Sequence, residues 1–326
     1  MRAVGIIGAG AWGTALAQVV ASGGREVRLW ALEPEVIDSI NKDHRNPTYL
    51  PGQALSPLIQ ATSDITWVGE TLAVLVVTPA QHMRAVLTDL PNHAQPLILC
   101  SKGIEAGSHK LLHQVAAECM DGSPIAVLSG PTFAHEVAAG LPTAVTLAAE
   151  DAEVARDLVE LIARPTFRPY VSTDVAGAEI GGAVKNVLAI ACGVVDGAGL
   201  GLNARAALIA RGFAEMTRFG LARGARAETL AGLSGLGDLV LTCNSTNSRN
   251  FSLGVGLGQG NPARELLADR RTIAEGAFTA PVLREAAAQA GVDMPVTEAV
   301  CALLDGGDVR EIVGTLLSRP LREEIR

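Results

Sequence analysis

The chain has 326 residues, 48% of them hydrophobic, 18% charged and 3% aromatic, with Ala and Gly abundant. That length is enough for two domains with sizeable cores, filled here by Ala, Val and Leu on closely approaching helices. A formal net charge of −8 argues against a dedicated nucleic-acid surface, which needs concentrated Lys and Arg, but allows a local basic pocket for a phosphorylated metabolite.

The first strand-like run is residues 3–7 (AVGII), followed at once by Gly8-Ala9-Gly10-Ala11-Trp12-Gly13 and a helix-period stretch over 14–21. In a G-x-G-x-x-G between strand and helix, the first glycine permits the tight turn and the second lets backbone approach a pyrophosphate. The third lets helix pack on strand, and the helix N-terminus adds partial positive charge. A second strand over 26–30 (EVRLW) completes the Rossmann context. Glu33 lies close to the place where an acidic residue bonds the ribose 2′-OH of NAD, and no Arg or Lys falls between Ala31 and Val36 to meet a 2′-phosphate. Both points tilt toward NAD, although the cations of 42–45 can fold back, and Glu33 reads equally as a first-turn helix acid beside Pro34.

Further strands are expected over 72–77, 96–100, 124–128, 143–147 and 168–171, with helices over 83–90 and 152–162. Near-continuous apolar strands alternating with helices imply a parallel sheet covered on both faces. Lys102 in CSKGIE and Thr132 in SGPTF each follow a strand, at the carboxyl edge where ligands of open α/β sheets sit. A solvated loop lysine and a plain Gly-Pro turn are the ordinary alternatives.

Strand signals stop near residue 178, and helical patterns follow over 184–195, 204–221, 281–290 and 295–304. The expected organisation is an α/β Rossmann-type dinucleotide-binding domain over 1–177 and an all-α substrate domain over 178–326. Within GAEIGGAVKN, Lys185 and Asn186 end a run of small apolar residues. This lysine either snorkels to solvent or is held in a pocket for chemistry. The stretch 234–250, SGLGDLVLTCNSTNSRN, sets Asp238 and Thr242 four apart, on one face if helical, although an aspartate before an apolar run is also a natural helix cap. It ends on Ser248-Arg249-Asn250, a fork-shaped guanidinium between neutral polar groups that suits a phosphate.

Five scattered cysteines, with no CxxC and no His at zinc-ligand spacing, read as reduced thiols in a reducing compartment, and no metal site is expected. The early glycines break any signal-peptide pattern, and residues 187–202, the nearest approach to a membrane span, are interrupted by Asp196 and glycines. A soluble cytoplasmic protein without membrane insertion is expected.

Together the motifs GAGAWGTALA, NPTYLPG, SKGIE, SGPTFAHEVAAGLPTA, GGAVKNVLAIACGVVDG, NARAALIARGFAEM, GLGDLVLTC and SRN resemble the bacterial NAD(P)-dependent glycerol-3-phosphate dehydrogenases, in order from residue 5 to about residue 280. The resemblance implies an active site between a dinucleotide domain and an all-helical one. It implies reversible hydride transfer between NAD(P)H and dihydroxyacetone phosphate, giving sn-glycerol 3-phosphate for phospholipid synthesis. Lys185 matches the proton acceptor, and Lys102 the lysine that contacts both substrate and cofactor. Gly130, Thr132, Asp238, Ser248, Arg249 and Asn250 match substrate positions, with Asn186 and Thr242 beside them. Ala11, Trp12, Ala134, Arg249, Ile273 and Glu275 match cofactor contacts. Two departures concern the cofactor: Ala11 replaces a frequent Ser, and Leu32 stands where some relatives carry His or Arg, leaving NAD versus NADP open.

In that chemistry a neutral Lys185 amine is needed for the oxidation direction, so its pKa must fall from roughly 10.4. Burial and a second cation, Lys102, push it down, and Asp238 tempers the shift. Lys102 can also polarise the carbonyl while Arg249 and Asn250 clamp the phosphate. Asp196, eleven residues after Lys185, would share a helix face with it. The alternatives are another Rossmann dehydrogenase, such as a 3-hydroxyacid dehydrogenase, or a non-catalytic dinucleotide sensor. Helical domains of this kind often pair, so a homodimer is an expectation that the sequence itself leaves unspecified.

Overall fold

The computed structural model describes residues 3–268 and 274–319. These residues form two compact units, one running up to residue 182 and including 224–238, the other formed by 183–223 and the described residues from 239 onward.

The first unit is built on an eight-stranded sheet in the order β3-β2-β1-β4-β5-β6-β7-β8. Its strands are β1 (Val4–Ile7), β2 (Val27–Trp30), β3 (Ile59–Thr62), β4 (Val74–Val76), β5 (Leu97–Leu99), β6 (Ile125–Ser129), β7 (Thr143–Ala149) and β8 (Phe167–Ser172). Order reverses between β1 and β4, the switch point beyond whose carboxyl ends dinucleotides bind in such sheets. Successive residues of a strand face opposite sides. Accordingly Ile6, Leu75, Ile98 and Leu128 join one apolar cluster, while Ile7, Val76, Leu99 and Val127 join another. Both faces are therefore covered, which explains why these strands read as unbroken apolar runs.

Two features of the sheet depart from the sequence reading. β3 falls in a stretch without a strand signal, because it is an edge strand with the mixed segment IQAT, buried only at alternate residues. β7 runs antiparallel to β6, with Ser129 opposite Thr146, so the sheet is parallel elsewhere but not at this seam.

A 23-residue helix, Val175–Gly197, follows the sheet. Asp174 starts it by accepting from the Gly177 N–H (2.9 Å), the usual work of an N-terminal capping aspartate. The helix is long and apolar enough to cross a membrane, yet 94% of its most apolar window is buried inside the fold, as in a core helix.

The second unit is helical among its described residues and includes Leu202–Ala222, Asp238–Cys243, Arg249–Gly258, Glu275–Gln289, Pro295–Leu304 and Val309–Leu317. Glycine permits close helix approach here: a Cβ on Gly193 would collide with the Phe251 carbonyl, and one on Gly254 with that of Ile190. Pro281 does not open a helix, as its position in the sequence pattern indicated, but lies inside Glu275–Gln289.

Candidate active site

The glycine loop fits a dinucleotide. Gly8 has φ +112°, and a Cβ there would come within 3.0 Å of the Val77 carbonyl oxygen; a side chain is disfavoured on both counts. A Cβ on Gly13 would collide with the Gly8 carbonyl, so that glycine is needed for helix to meet strand. A Cβ on Gly10, by contrast, would meet nothing within 4 Å. That open side leaves room for a pyrophosphate. Ala11 and Trp12 open the helix Ala11–Ser22, whose N-terminus has no side-chain cap and so presents its first-turn N–H groups to an anion.

The loop is held by the first residue of the NPTYLPG motif. Asn46, 1% exposed, donates through Nδ2 to the Ala9 carbonyl (2.8 Å) and to Thr14 Oγ1 (2.9 Å). Thr14 in turn donates to Ala9 O (3.1 Å). Three residues on, Tyr49 donates its hydroxyl to Glu33 Oε1 (2.8 Å). Glu33 occupies the N-cap position of Pro34–Asp43, but its side chain makes no capping bond. Lys42 pairs with Asp38 on its own helix (2.9 Å). Leu32 is 72% exposed.

At the carboxyl edge of β5, Lys102 extends its Nζ to 2.7 Å from Asp238 Oδ2. Asp238 is fully buried. Its oxygen accepts a charge-assisted bond from a residue 136 positions away. The loop carrying Lys102 is pinned on both sides. Gln81 donates to the Ile104 carbonyl (2.8 Å), and Arg84 forks onto Glu105 (2.8 Å for each bond), holding that carboxyl below its usual range. Burial pushes the neighbouring Cys100 thiol well up, which makes it a poor nucleophile.

After β6, Gly130 adopts φ +156° with Val145 packed against it, and Thr132 lies beside it, making a long contact to the Gly130 carbonyl (3.4 Å). Ala134 opens the short helix Ala134–Ala138. Opposite them runs the start of Val175–Gly197. A Cβ on Gly182 would come within 3.2 Å of Ser129 Oγ and 3.3 Å of Lys102 Cγ, whereas one on Gly181 would collide with the Ser234 carbonyl. The adjacent glycines thus have different reasons, and neither was apparent from the sequence. Glu179, one turn earlier and also unforeseen, accepts from the His113 backbone N–H (2.8 Å) and contacts His113 Nδ1 (2.5 Å), tying the helix to Leu112–Cys119.

The second unit holds the other group of residues. Lys185 is 5% exposed, so it does not snorkel, and its Nζ donates to Thr242 Oγ1 (3.0 Å). Asn186 is 6% exposed, and its carbonyl oxygen would lie 2.5 Å from a Cβ on Gly276. Ser248 caps Arg249–Gly258 by accepting from the Phe251 N–H (3.2 Å). Asn250 Oδ1 accepts from the Gly276 N–H (2.8 Å), next to Glu275 at the start of its helix. Arg249 is exposed at the first turn. Asp196 does not join Lys185: it pairs with Arg205 (2.8 Å) at an exposed position. Ile273 lies outside the described residues. No cluster of His, Cys, Asp and Glu able to hold a metal occurs among the described residues.

A Rossmann-type sheet with an open glycine loop, a lysine–aspartate pair at its carboxyl edge and a helical unit with a buried lysine define a dinucleotide-dependent oxidoreductase. The model for the N-terminus of NAD-dependent glycerol-3-phosphate dehydrogenase matches residues 3–155, and that for its C-terminus matches 174–313. The chain belongs to this family. It is 64% identical to glycerol-3-phosphate dehydrogenase (NAD(P)+) 1 of Sphingopyxis alaskensis, over 99% of this chain and 98% of that one. It is 63% identical to the enzyme of Erythrobacter litoralis, over 98% and 97% of the two chains. Among solved structures, the glycerol-3-phosphate dehydrogenase of Coxiella burnetii superimposes with a TM-score of 0.93 at 40% identity, covering 98% of this chain and 99% of that one.

Proposed function

We propose that the chain reduces dihydroxyacetone phosphate reversibly to sn-glycerol 3-phosphate, supplying glycerophospholipid synthesis in a reducing cytoplasm. Neither a 3-hydroxyacid dehydrogenase nor a dinucleotide sensor is favoured by its relatives. The observation that carries the reading is the burial of Lys185 with its Nζ on Thr242. An ammonium is taken from water at a cost unless its contacts or its chemistry repay it.

When bound, the nicotinamide supplies the hydride that adds to C2. Lys185 donates the proton that the developing alkoxide requires, and in the oxidation direction accepts it back as the neutral amine. Thr242, by taking one N–H of Lys185, fixes the direction in which the others point. Lys102, tethered by Asp238, places positive charge at the edge of β5 to polarise the carbonyl. The Ser248-Arg249-Asn250 set suits a phosphate for a reason beyond its letters. Ser248 and Asn250 spend acceptor capacity on the Phe251 and Gly276 N–H groups. Their hydroxyl hydrogen and amide hydrogens are still there to be donated. With the Arg249 fork and the helix N-terminus, these form a donor set for an anion. Gly10 with Ala11 and Trp12 would hold the pyrophosphate in the loop shaped by Gly8 and Gly13, while Ala134, Ile273 and Glu275 are proposed cofactor neighbours.

The cofactor is NAD or NADP. The Tyr49–Glu33 bond and the exposed Leu32 support a preference for NAD, because a 2′-phosphate would meet a carboxylate and no cation from Leu32. Exposed Leu202 and Phe278 of the second unit support a homodimer, which light scattering in solution tests.

A substrate panel separates the alternatives. Dihydroxyacetone phosphate should be turned over with either reduced cofactor, and 3-keto acids and unphosphorylated dihydroxyacetone poorly. Preference for a keto acid would overturn the assignment.

A further inference from the structure

Ser129 closes β6 and is 5% exposed, yet its hydroxyl has no hydrogen-bond partner among the described residues. A buried hydroxyl without a partner is costly, and alanine would fill the same place without that cost. Ser129 is also one of the residues that line a small cavity, with Trp12, Lys102, Gly130 and Thr132. Its hydroxyl and the Lys102 stem both lie within 3.3 Å of the point where a Gly182 Cβ would be. The cavity is thus walled by the glycine-loop helix on one side and the β5 and β6 edges on the other. In a sheet ordered β3-β2-β1-β4-β5-β6, the ribose position after β2 puts the adenosine half over β1 and β2. A nicotinamide half would then lie over β4 to β6, where Ser129 is.

We propose that Ser129 is a ligand-binding residue whose hydroxyl meets a neutral oxygen at the reacting end of the site. That oxygen belongs to the nicotinamide carboxamide or to the carbonyl or hydroxyl of the triose. The hydroxyl is left unbonded in the free protein because its partner arrives with the ligand. Stability is surrendered to orient the reactants, a common trade at binding sites.

This proposal rests on the dehydrogenase reading, and its test uses the full chain as Ser129→Ala and Ser129→Cys. For a ligand contact, Ser129→Ala raises the Tm of the ligand-free protein by about 2 °C, since an unpaired hydroxyl is removed. It also raises the NADH dissociation constant, read from tryptophan fluorescence without substrate, by about 3- to 10-fold. If NADH binding stays at the wild-type value while KM for dihydroxyacetone phosphate rises by that factor, the oxygen is the substrate's. Ser129→Cys keeps the volume with a weaker donor, and falls between wild type and alanine in affinity. It also supplies the reading if the alanine variant folds poorly. A lowered ligand-free Tm in both variants means that the hydroxyl has a structural partner, and overturns the proposal. So do wild-type values for both NADH and dihydroxyacetone phosphate affinity. Failure of the wild-type protein to bind NADH would instead sink the dehydrogenase reading.

Discussion

Replacing Gly182 by Ala adds one methyl group where the helix Val175–Gly197 passes Lys102 and Ser129. In a helix interior that exchange ordinarily stabilises by about 0.5–1 kcal/mol. Here the new Cβ would lie 3.2 Å from Ser129 Oγ, 3.3 Å from Lys102 Cγ and 3.5 Å from Lys102 Cδ. The Lys102 stem is a flexible chain, so it yields by a few tenths of an ångström at little cost, and the Tm stays within about 3 °C of wild type. The shift is nonetheless passed to Nζ, which sits 2.7 Å from Asp238. A misplacement near 1 Å can cost about 100-fold in rate, so a few tenths should lower kcat/KM by about 3- to 10-fold, equivalent to about 0.7–1.4 kcal/mol. Steady-state kinetics with dihydroxyacetone phosphate and thermal melts of the same preparations read both quantities. Gly181→Ala is the control, because its Cβ would meet the Ser234 carbonyl and, at 2.8 Å, Gly235 Cα. Backbone cannot swing aside as a lysine stem can, so that variant should lose more than about 5 °C or fail to fold. Wild-type kcat/KM in Gly182→Ala, or equal loss of stability in both variants, would refute the reasoning.

Three further outcomes are expected. Arg249→Ala should raise KM for dihydroxyacetone phosphate by about 10- to 100-fold, the value of a charged hydrogen bond, with little effect on unphosphorylated dihydroxyacetone; equal effects on both would remove the phosphate clamp. Leu32→Arg should improve NADPH kcat/KM relative to NADH by about 10-fold, and an unchanged ratio would show that the 2′-phosphate does not sit by that residue. Glu215 gives a pH dependence of stability. It is 2% exposed and bonded to the Val296 N–H (2.7 Å), and burial raises its carboxyl to about 7, against the lowering effect of the Val296 and Thr297 N–H groups. From its ordinary 4.5 up to about 7, the folded state holds a proton that the unfolded chain releases. Its contribution is thus complete below the lower value and is lost as pH rises through the upper one. Glu215→Gln keeps an acceptor for Val296 and should flatten that slope, gaining about 2–3 kcal/mol relative to wild type at pH 8. Denaturant melts across the range check this, and parallel profiles for the two proteins would contradict it.

The strands whose faces are both covered were legible because burial on both sides writes an unbroken apolar run, as in β1, β4 and β5. β3 was not, because an edge strand with Gln60 facing outward carries no such signal. Nor did composition reveal that β7 reverses direction beside β6. The helices Ala152–Ile162 and Pro295–Leu304 could be read from their periods, whereas Pro281 imitated a helix start inside Glu275–Gln289. Lys102, Asp238 and Lys185 stood out as polar residues in apolar surroundings. Which groups would pair did not: Lys102 finds Asp238 across 136 positions, and Asp196 turns to Arg205. The roles of the supporting residues were hidden for the same reason. Asn46 braces the glycine loop and Glu179 holds His113 through contacts that exist only once distant segments meet.

The central claim is that Lys185 moves the proton when dihydroxyacetone phosphate is reduced. Single-turnover loss of nicotinamide absorbance, with enzyme in excess of NADH and saturating dihydroxyacetone phosphate, tests it most directly when wild type and Lys185→Ala are run side by side. The variant should react at least about 100-fold more slowly, with NADH affinity and Tm close to wild type. A variant that reduces the triose phosphate at the wild-type rate would contradict it.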